Sequence, residues 1–202
     1  MIFSRSNMKR TFDLVLAAVG LVLISPLLAV LAVWIKLDTP GLIFYRGVRA
    51  GLSGKPFRIY KLRTMVQNAD ALGGAETPTD DPRITKSGHL LRRYKLDELP
   101  QLINVLLGDM SLVGPRPEVM DEVLRYTEQE KLVLTVRPGI TDWASLKFHH
   151  EGEILKGSPD PHQTYHERIR PEKLRLQEQY VRNHSLMIDV KIITRTFRVI
   201  FQ

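Results

Sequence analysis

Twenty-two residues without a charge, Leu14 to Ile35 (LVLAAVGLVLISPLLAVLAVWI), limit what this chain can fold into more than any other stretch. As one helix the run reaches roughly 33 Å at 1.5 Å per residue, enough to cross the hydrocarbon of a bilayer. It does not read as a secretory signal, because it is too long and no small-residue cleavage site follows it. A buried core helix is the alternative, but few soluble helices are apolar all round over such a length.

Whether the segment crosses is a separate question. Ser25-Pro26 lies at its middle. Pro26 cannot donate to the carbonyl of Val22 and clashes with it, so a kink is expected there, with the Ser25 hydroxyl satisfying a freed carbonyl inside lipid. Arg5, Lys9 and Arg10 precede the run beside Asp13, and seven basic residues lie between Lys36 and Arg63 against Asp38 alone. The positive-inside tendency places both clusters on the cytoplasmic side, which a straight span does not allow. A kinked helix that enters and leaves by one face satisfies both. The sequence therefore favours re-entrant geometry, with an ordinary single span as the rival.

Charge narrows the partners. The 202 residues include 29 basic and 22 acidic ones, a formal net charge of +7, which points to a polyanion: nucleic acid, anionic lipid or a phosphate-rich substrate. With no cysteine there is no disulfide framework and no thiolate metal site.

After the turn signal Asp38-Thr39-Pro40-Gly41, Leu42–Arg46 and Phe57–Arg63 read as the strands of a β-hairpin around the glycine-containing turn 51–55. Residues 67–82 form a polar loop, plausible as a lid near the site. A helix is expected over Gly88–Tyr94, a charged helix from Pro117 to about Lys131, and another from Pro171 to roughly Asn183. At the C-terminal end Leu186, Val190, Ile193, Phe197 and Ile200 recur at helical spacing, with Lys191, Arg195 and Arg198 on another face. That pattern suits either a membrane interface or packing on the protein's own core. His149-His150-Glu151 resembles a metal cluster, but adjacent histidines on a strand or loop are expected to point apart.

The chemistry concentrates in Lys95-Leu96-Asp97-Glu98-Leu99-Pro100-Gln101-Leu102. Asp97 has helix N-cap chemistry, with Glu98 and Leu99 opening the first turn. Taken alone, the pair reads as an ordinary cap with an acidic first turn; a helix end that also attracts phosphate is the alternative. Nucleic acid has no use for a membrane helix or for a carboxylate pair among arginines. Phosphoryl transfer uses all three features: cations neutralise phosphate oxygens, a carboxylate attacks phosphorus to give an acyl phosphate, and Mg²⁺ bridges pyrophosphate oxygens and carboxylate. Lys61, Arg92 and Arg116 are placed to offset the charge of such a nucleophile, and Arg116 is held between Pro115 and Pro117.

These residues resemble the monotopic bacterial polyprenyl-phosphate phosphoglycosyl transferases, the bacterial sugar transferase family. The marks are Lys9-Arg10-Thr11-Phe12-Asp13, Ser25-Pro26, Tyr60-Lys61-Leu62-Arg63-Thr64-Met65 and Asp81-Pro82-Arg83-Ile84-Thr85, followed by Leu96-Asp97-Glu98-Leu99-Pro100-Gln101-Leu102 and the run from Gly108 to Pro117 (GDMSLVGPRP). The resemblance implies transfer of a sugar 1-phosphate from a UDP-sugar to undecaprenyl phosphate with release of UMP, at the cytoplasmic face of the bacterial inner membrane, as a first membrane step of glycoconjugate synthesis. It implies that Asp97 holds a covalent phosphosugar, that Glu98 is its dyad partner, that Mg²⁺ lies at this pair, and that kinetics are ping-pong. Lys61, Arg63, Arg83, Arg92, Arg116 and Arg137 are the candidate phosphate- and substrate-binding cations, and Ser25 and Pro26 the candidate membrane kink.

The fold class expected is α+β and mostly helical. A re-entrant membrane helix hairpin (residues 1–38) precedes a small cytosolic catalytic domain (39–202) with a short β-hairpin and interfacial amphipathic helices, the last over 186–201. Larger members carry a further N-terminal membrane region, so the resemblance implies a minimal catalytic unit here; a homodimer is an open possibility. One departure is Asp142: many members read PGITG where this chain has Pro138-Gly139-Ile140-Thr141-Asp142, near the presumed nucleotide-sugar side. Two rival functions stay open, a membrane-bound phosphohydrolase with water as acceptor and a non-catalytic basic membrane scaffold.

Overall fold

The computed structural model describes residues 2–74 and 76–200. The apolar run lies within one long helix, α1 (Ile2–Asp38), which continues through Pro26. The Ser25 hydroxyl donates to Val22 O at 2.8 Å, the carbonyl that Pro26 leaves without its helical partner. α1 is thus recorded as one helix rather than as two joined by a turn. Only one side of it is covered: Ala17, Leu31 and Ile35 are buried, while Val22, Leu23, Val30 and Val33 are each 60% or more exposed. An apolar surface of that extent is a poor match for water.

Both ends of α1 are fastened to the rest of the protein. Near its start Lys9 Nζ meets Asp189 Oδ2 at 2.7 Å, Arg10 Nη2 donates to Val105 O at 2.8 Å, and Ser111 Oγ donates to Asp13 Oδ2 at 2.7 Å. Near its end Leu31 and Ile35 pack on Leu62 and Leu91, and Asp38 Oδ2 accepts from Ser87 N at 2.9 Å.

The expected hairpin forms in two short antiparallel pieces with one continuous register. β1 (Phe44–Tyr45) pairs with β4 (Lys61–Leu62), and β2 (Val48–Ala50) with β3 (Pro56–Arg58). Where the ladder lapses, Asn104 Oδ1 accepts from Tyr60 N at 2.8 Å and Asn104 Nδ2 donates to Arg58 O at 2.9 Å. A buried amide thus replaces the missing strand partners. Asn104 belongs to α3 (Gln101–Leu107), which ends at Gly108 with φ 95°, a left-handed C-cap that glycine adopts at no steric cost. Beyond it β5 (Ser111–Val113) runs parallel to β6 (Gly139–Thr141). The two strands approach so closely that a Cβ on Gly139 would lie 2.0 Å from Gly114 N, so this residue must lack a side chain.

α2 (Lys86–Arg93) starts from Thr85, whose Oγ1 accepts from Gly88 N at 3.0 Å. The charged helix expected from Pro117 to Lys131 is instead the short α4 (Met120–Leu124) followed by a separate 3-10 turn, Glu130–Thr135. The reason is local: Thr127 Oγ1 accepts from Glu130 N and Glu130 Oε2 accepts from Thr127 N at 2.8 Å, a capping box that restarts the chain.

The C-terminal third is helical: α5 (Trp143–Lys147), α6 (Glu151–Leu155), α7 (Pro161–Thr164), a π-helical turn over Tyr165–Ile169, α8 (Arg170–Asn183) and α9 (Leu186–Ile200). α9 is amphipathic with a stripe offset from the one expected. Asp189 and Ile192 are buried and Ile193 is half-buried, whereas Val190 and Phe197 are exposed together with Met187. One face therefore packs on Val113, Tyr180 and Val181, and a second apolar face points outward. Phe201 lies outside the described residues.

Candidate active site

The chain leaves α2 through Lys95, a non-glycine residue at φ 54°, and enters a 3-10 turn, Leu96–Glu98, before α3. Asp97 therefore does not cap α3; Pro100 holds the cap position, without a side-chain hydrogen bond. The 3-10 turn buries both carboxylates, leaving Asp97 7% and Glu98 8% exposed.

Their surroundings differ. Glu98 Oε1 receives Lys61 Nζ at 3.0 Å and Arg116 Nη2, while Glu98 Oε2 receives Arg116 Nη1 at 3.0 Å. Arg116 thus grips Glu98 with both terminal nitrogens, the geometry that makes guanidinium–carboxylate pairing strong. Asp97 Oδ1 is buried and has no hydrogen-bond partner. Burial pushes the Asp97 carboxyl above the usual carboxylate range, against the pull of Lys61 and Arg92. Burial acts on Glu98 in the same sense, but Arg116 and Lys61 outweigh it and hold that carboxyl well below the usual range. Burial also lowers Lys61 and Arg92, whereas Glu98 raises Arg116.

The six cations proposed from sequence divide three ways. Lys61, Arg92 and Arg116 gather at the pair, Arg92 being held by its Nε to Thr64 Oγ1 at 2.9 Å. Arg63 and Arg83 line the same cleft but serve the framework. Arg63 donates to Leu42 O at 2.6 Å and Thr39 O at 2.8 Å, fixing the turn after α1. Arg83 forks onto Asp81 and reaches Ala69 O at 3.1 Å and Gly74 O at 3.2 Å, pinning the polar loop. Arg137 stands apart: it is exposed, donates to Gly108 O at 3.0 Å, and does not line the cleft.

Asp142 serves the framework next to cleft-lining Thr141, Ala144 and Ser145. Fully buried, it caps α5 by accepting from Ser145 N at 2.6 Å, and it accepts from Gln177 Nε2 at 3.1 Å and from the backbone N of Arg116 at 3.3 Å. It therefore helps fix the guanidinium that grips Glu98. Behind Arg116 sits a cation that sequence reasoning missed. Lys173 is buried on α8, 3.1 Å from Glu151 and 3.5 Å from Glu118, and it also lines the cleft. Gln101, from the same motif as Asp97, has a buried Nε2 without a partner and lines the cleft as well. Its place directly after Leu99-Pro100 was the available signal. His149 and His150 do not point apart; their rings lie 3.8 Å centre to centre.

The cleft encloses about 1840 Å³. Asp97, Glu98, Lys61, Arg92 and Arg116 line one part of it. Leu16, Val19, Gly20, Leu23 and Ile24 of α1, with Leu102 and Phe197, line another. A polar, cation-rich floor and an apolar wall thus share one space.

Comparison with known proteins agrees with these features. A family model described as bacterial sugar transferase matches residues 4–202. The chain is 38% identical over 192 residues to the UDP-glucose:undecaprenyl-phosphate glucose-1-phosphate transferase of Escherichia coli, covering 94% of this chain and 39% of that protein. It is 39% identical over 191 residues to the uncharacterized sugar transferase EpsL of Bacillus subtilis, covering 95% and 86% respectively. It is 37% identical over 195 residues to the UDP-N-acetylgalactosamine-undecaprenyl-phosphate N-acetylgalactosaminephosphotransferase of Aeromonas hydrophila, covering 95% and 43%. The chain thus spans less than half the length of the Escherichia coli and Aeromonas relatives.

The two carboxylates should respond oppositely to neutralisation. With its pKa raised by folding, ionised Asp97 costs stability at pH 7, a cost that disappears once pH falls below the ordinary carboxylate range. Asp97→Asn is expected to raise the thermal midpoint at pH 7. Glu98, with its pKa lowered, contributes stability above its unfolded pKa and loses it as pH falls through the folded value. Glu98→Gln is expected to cost on the order of 2 kcal/mol at pH 7, after allowance for the solvent that reaches Lys61 and Arg116. Differential scanning calorimetry of both variants checks this; equal shifts in one direction contradict the assignment.

Proposed function

The chain belongs to the bacterial sugar transferase family, and we propose that it moves a sugar 1-phosphate from a UDP-sugar to undecaprenyl phosphate in two steps through Asp97. The observation that carries this reading is the unequal treatment of two adjacent carboxylates. Glu98 is saturated by Lys61 and Arg116, while Asp97 keeps a buried oxygen free in a cleft that also contains apolar wall. The names of the relatives supply the substrate classes, a nucleotide sugar and a polyprenyl phosphate.

In the first step a carboxylate oxygen of Asp97 attacks the sugar-bearing phosphorus, and the bond between the two phosphates breaks with UMP as leaving group. In the second, a phosphate oxygen of the lipid attacks the same phosphorus and the acyl phosphate bond breaks. Asp97 is restored and the polyprenyl diphosphate sugar leaves. Arg92 binds and neutralises phosphate oxygens in both steps, and Arg116 and Lys61 hold Glu98 and place positive charge beside Asp97. The raised pKa of Asp97 fits a carboxylate whose charge becomes useful once cation-bound phosphate is present.

Mg²⁺ is the cofactor proposed, and it fits the donor set at Asp97, whose Oδ1 has no partner, better than at Glu98, whose two oxygens face cations. When bound, it supplies charge neutralisation between the attacking carboxylate and the pyrophosphate.

We further propose that α1 is re-entrant and that the protein is monotopic at the cytoplasmic face of the inner membrane. Both ends of α1 are seated on the same polar body, so a straight crossing would drag that body through the bilayer. The Ser25–Val22 hydrogen bond suits a proline-interrupted helix in lipid, and the outward Met187, Val190 and Phe197 of α9 suit the interface.

With a UDP-sugar and Mg²⁺ but no lipid, the protein is expected to release up to one equivalent of UMP and to carry a phosphosugar on Asp97, detected by intact-protein mass spectrometry and discharged by undecaprenyl phosphate. Asp97→Asn should form no adduct and lose roughly 10⁴-fold or more in turnover. A UMP requirement for both substrates together points instead to direct displacement, and release of free sugar phosphate points to hydrolysis. Because the chain has no native cysteine, single cysteines at Asn7 and Thr39 report topology cleanly. In spheroplasts both should stay shielded from an impermeant external reagent and react once the cells are opened; shielding of one alone contradicts re-entry.

A further inference from the structure

Three ligating side chains converge outside the carboxylate pair. Pro161-His162-Gln163-Thr164-Tyr165-His166 places two histidines four residues apart, a spacing that brings them to one helical face. The first turn is held in place: Asp160 Oδ1 accepts from Gln163 N at 2.9 Å, and Pro161 occupies the start of α7. The helix widens into the π turn immediately afterwards, so His166 sits on a non-standard coil of the kind that often marks functional sites. The two imidazole rings stand 4.3 Å apart centre to centre. Glu76 reaches them from the polar loop, its Oε1 3.0 Å from His162 Nδ1.

One ligand atom from each of Glu76, His162 and His166 lies within 4.8 Å of the other two. In a tetrahedral site with bonds of roughly 2.1 Å, ligand atoms are about 3.4 Å apart, within reach of small side-chain rotations. His166 lies between two carboxylates, Glu76 of this cluster and Glu122 on α4. Its Nε2 is enclosed and makes no hydrogen bond; the Glu122 Oε1 that lies 3.4 Å away is out of alignment for one. Two imidazoles and a carboxylate converging at this spacing match the donor set of a divalent transition-metal cation. Imidazole donors favour zinc-like ions over Mg²⁺, which prefers an all-oxygen shell.

We propose that Glu76, His162 and His166 bind a divalent transition-metal ion of the zinc type, at a site separate from the Asp97–Glu98 pair, which fastens the segment around Glu76 to α7. Two protein elements far apart in sequence, the polar loop and the C-terminal helices, are thereby joined by coordination. Glu76 itself lines the cleft that contains Asp97, so occupancy fixes part of the cleft wall.

The test uses the full chain, freed of any affinity tag, in detergent with excess Mg²⁺ and Co²⁺ as probe. Wild type is expected to take up one equivalent with the ligand-field absorption of a low-coordinate nitrogen–oxygen site, and Zn²⁺ should displace it. His162 is half-exposed, so His162→Ala tests the site with little risk to folding; it and Glu76→Gln should each weaken binding by about tenfold or more. Asp97→Asn and the His149→Ala/His150→Ala double variant should leave it unchanged. Hydrogen exchange of the peptide containing Glu76 should slow when Zn²⁺ is added to wild type and not to His162→Ala. No saturable uptake by wild type, uptake indifferent to His162→Ala, or uptake lost in Asp97→Asn each overturns the assignment.

Discussion

Glu98 shared between Lys61 and Arg116 is the interaction around which the site is built. Its three members come from the β-hairpin, the turn before α3 and the segment after β5, so it exists only when those parts are assembled. Desolvating two cations and a carboxylate is costly, and their mutual attraction repays this only with well-placed hydrogen bonds. Much of the surrounding framework serves that placement. Asn104 mends the lapse in the hairpin beside Lys61, Asp142 holds the backbone of Arg116, and the bare approach of Gly114 to Gly139 sets the course of the chain into Pro115. Asp97, its neighbour, receives none of this saturation and retains a free oxygen, which gives two adjacent carboxylates different chemistry.

The second constraint is that this polar assembly shares a cleft with the exposed side of a helix suited to lipid. α1 is covered on one side, at Ala17, Leu31 and Ile35, by residues that include Leu62, Leu91, Val105 and Met110, and is bare on the other, so its described side chains meet two environments. Anchoring at Lys9, Arg10 and Asp13 at one end and at Asp38 at the other keeps the bare side continuous with the cleft. The acceptor proposed above, with a greasy tail and a charged head, would need this combination, and a wholly aqueous pocket would not supply it.

Much of this was legible in the sequence because the signals were local. The uncharged run marked α1, Ser25-Pro26 located the carbonyl that loses its helical donor, and the alternation in Phe57–Arg63 gave the hairpin. Asp97-Glu98, which alone reads as an ordinary helix cap, and the cations at Lys61, Arg92 and Arg116 stood out through the motifs around them and the family those motifs resemble. What could not be read was the division of labour among side chains of like charge. Lys61 and Arg63 are two residues apart, yet one faces Glu98 and the other backbone carbonyls after α1, a choice made by acceptors distant in sequence. Arg83 went to Asp81 two residues away, and Asp142 turned inward as a cap. The stripe of α9 shifted for the same reason, because buried Asp189 answers Lys9 and Tyr180, whereas the restart at Thr127-Glu130 that cut the expected helix is a local capping box carried by the Thr-x-x-Glu spacing itself.

The account rests on Asp97 and Glu98 occupying opposite electrostatic states although they adjoin in the chain. Carbon-13 NMR of their side-chain carboxyls, followed through a pH titration of the full chain in detergent, measures this directly. Asp97 is expected to titrate above an ordinary aspartate, about 3.9, and Glu98 to remain ionised below an ordinary glutamate, about 4.3. The reverse order, or two unperturbed titrations, contradicts it.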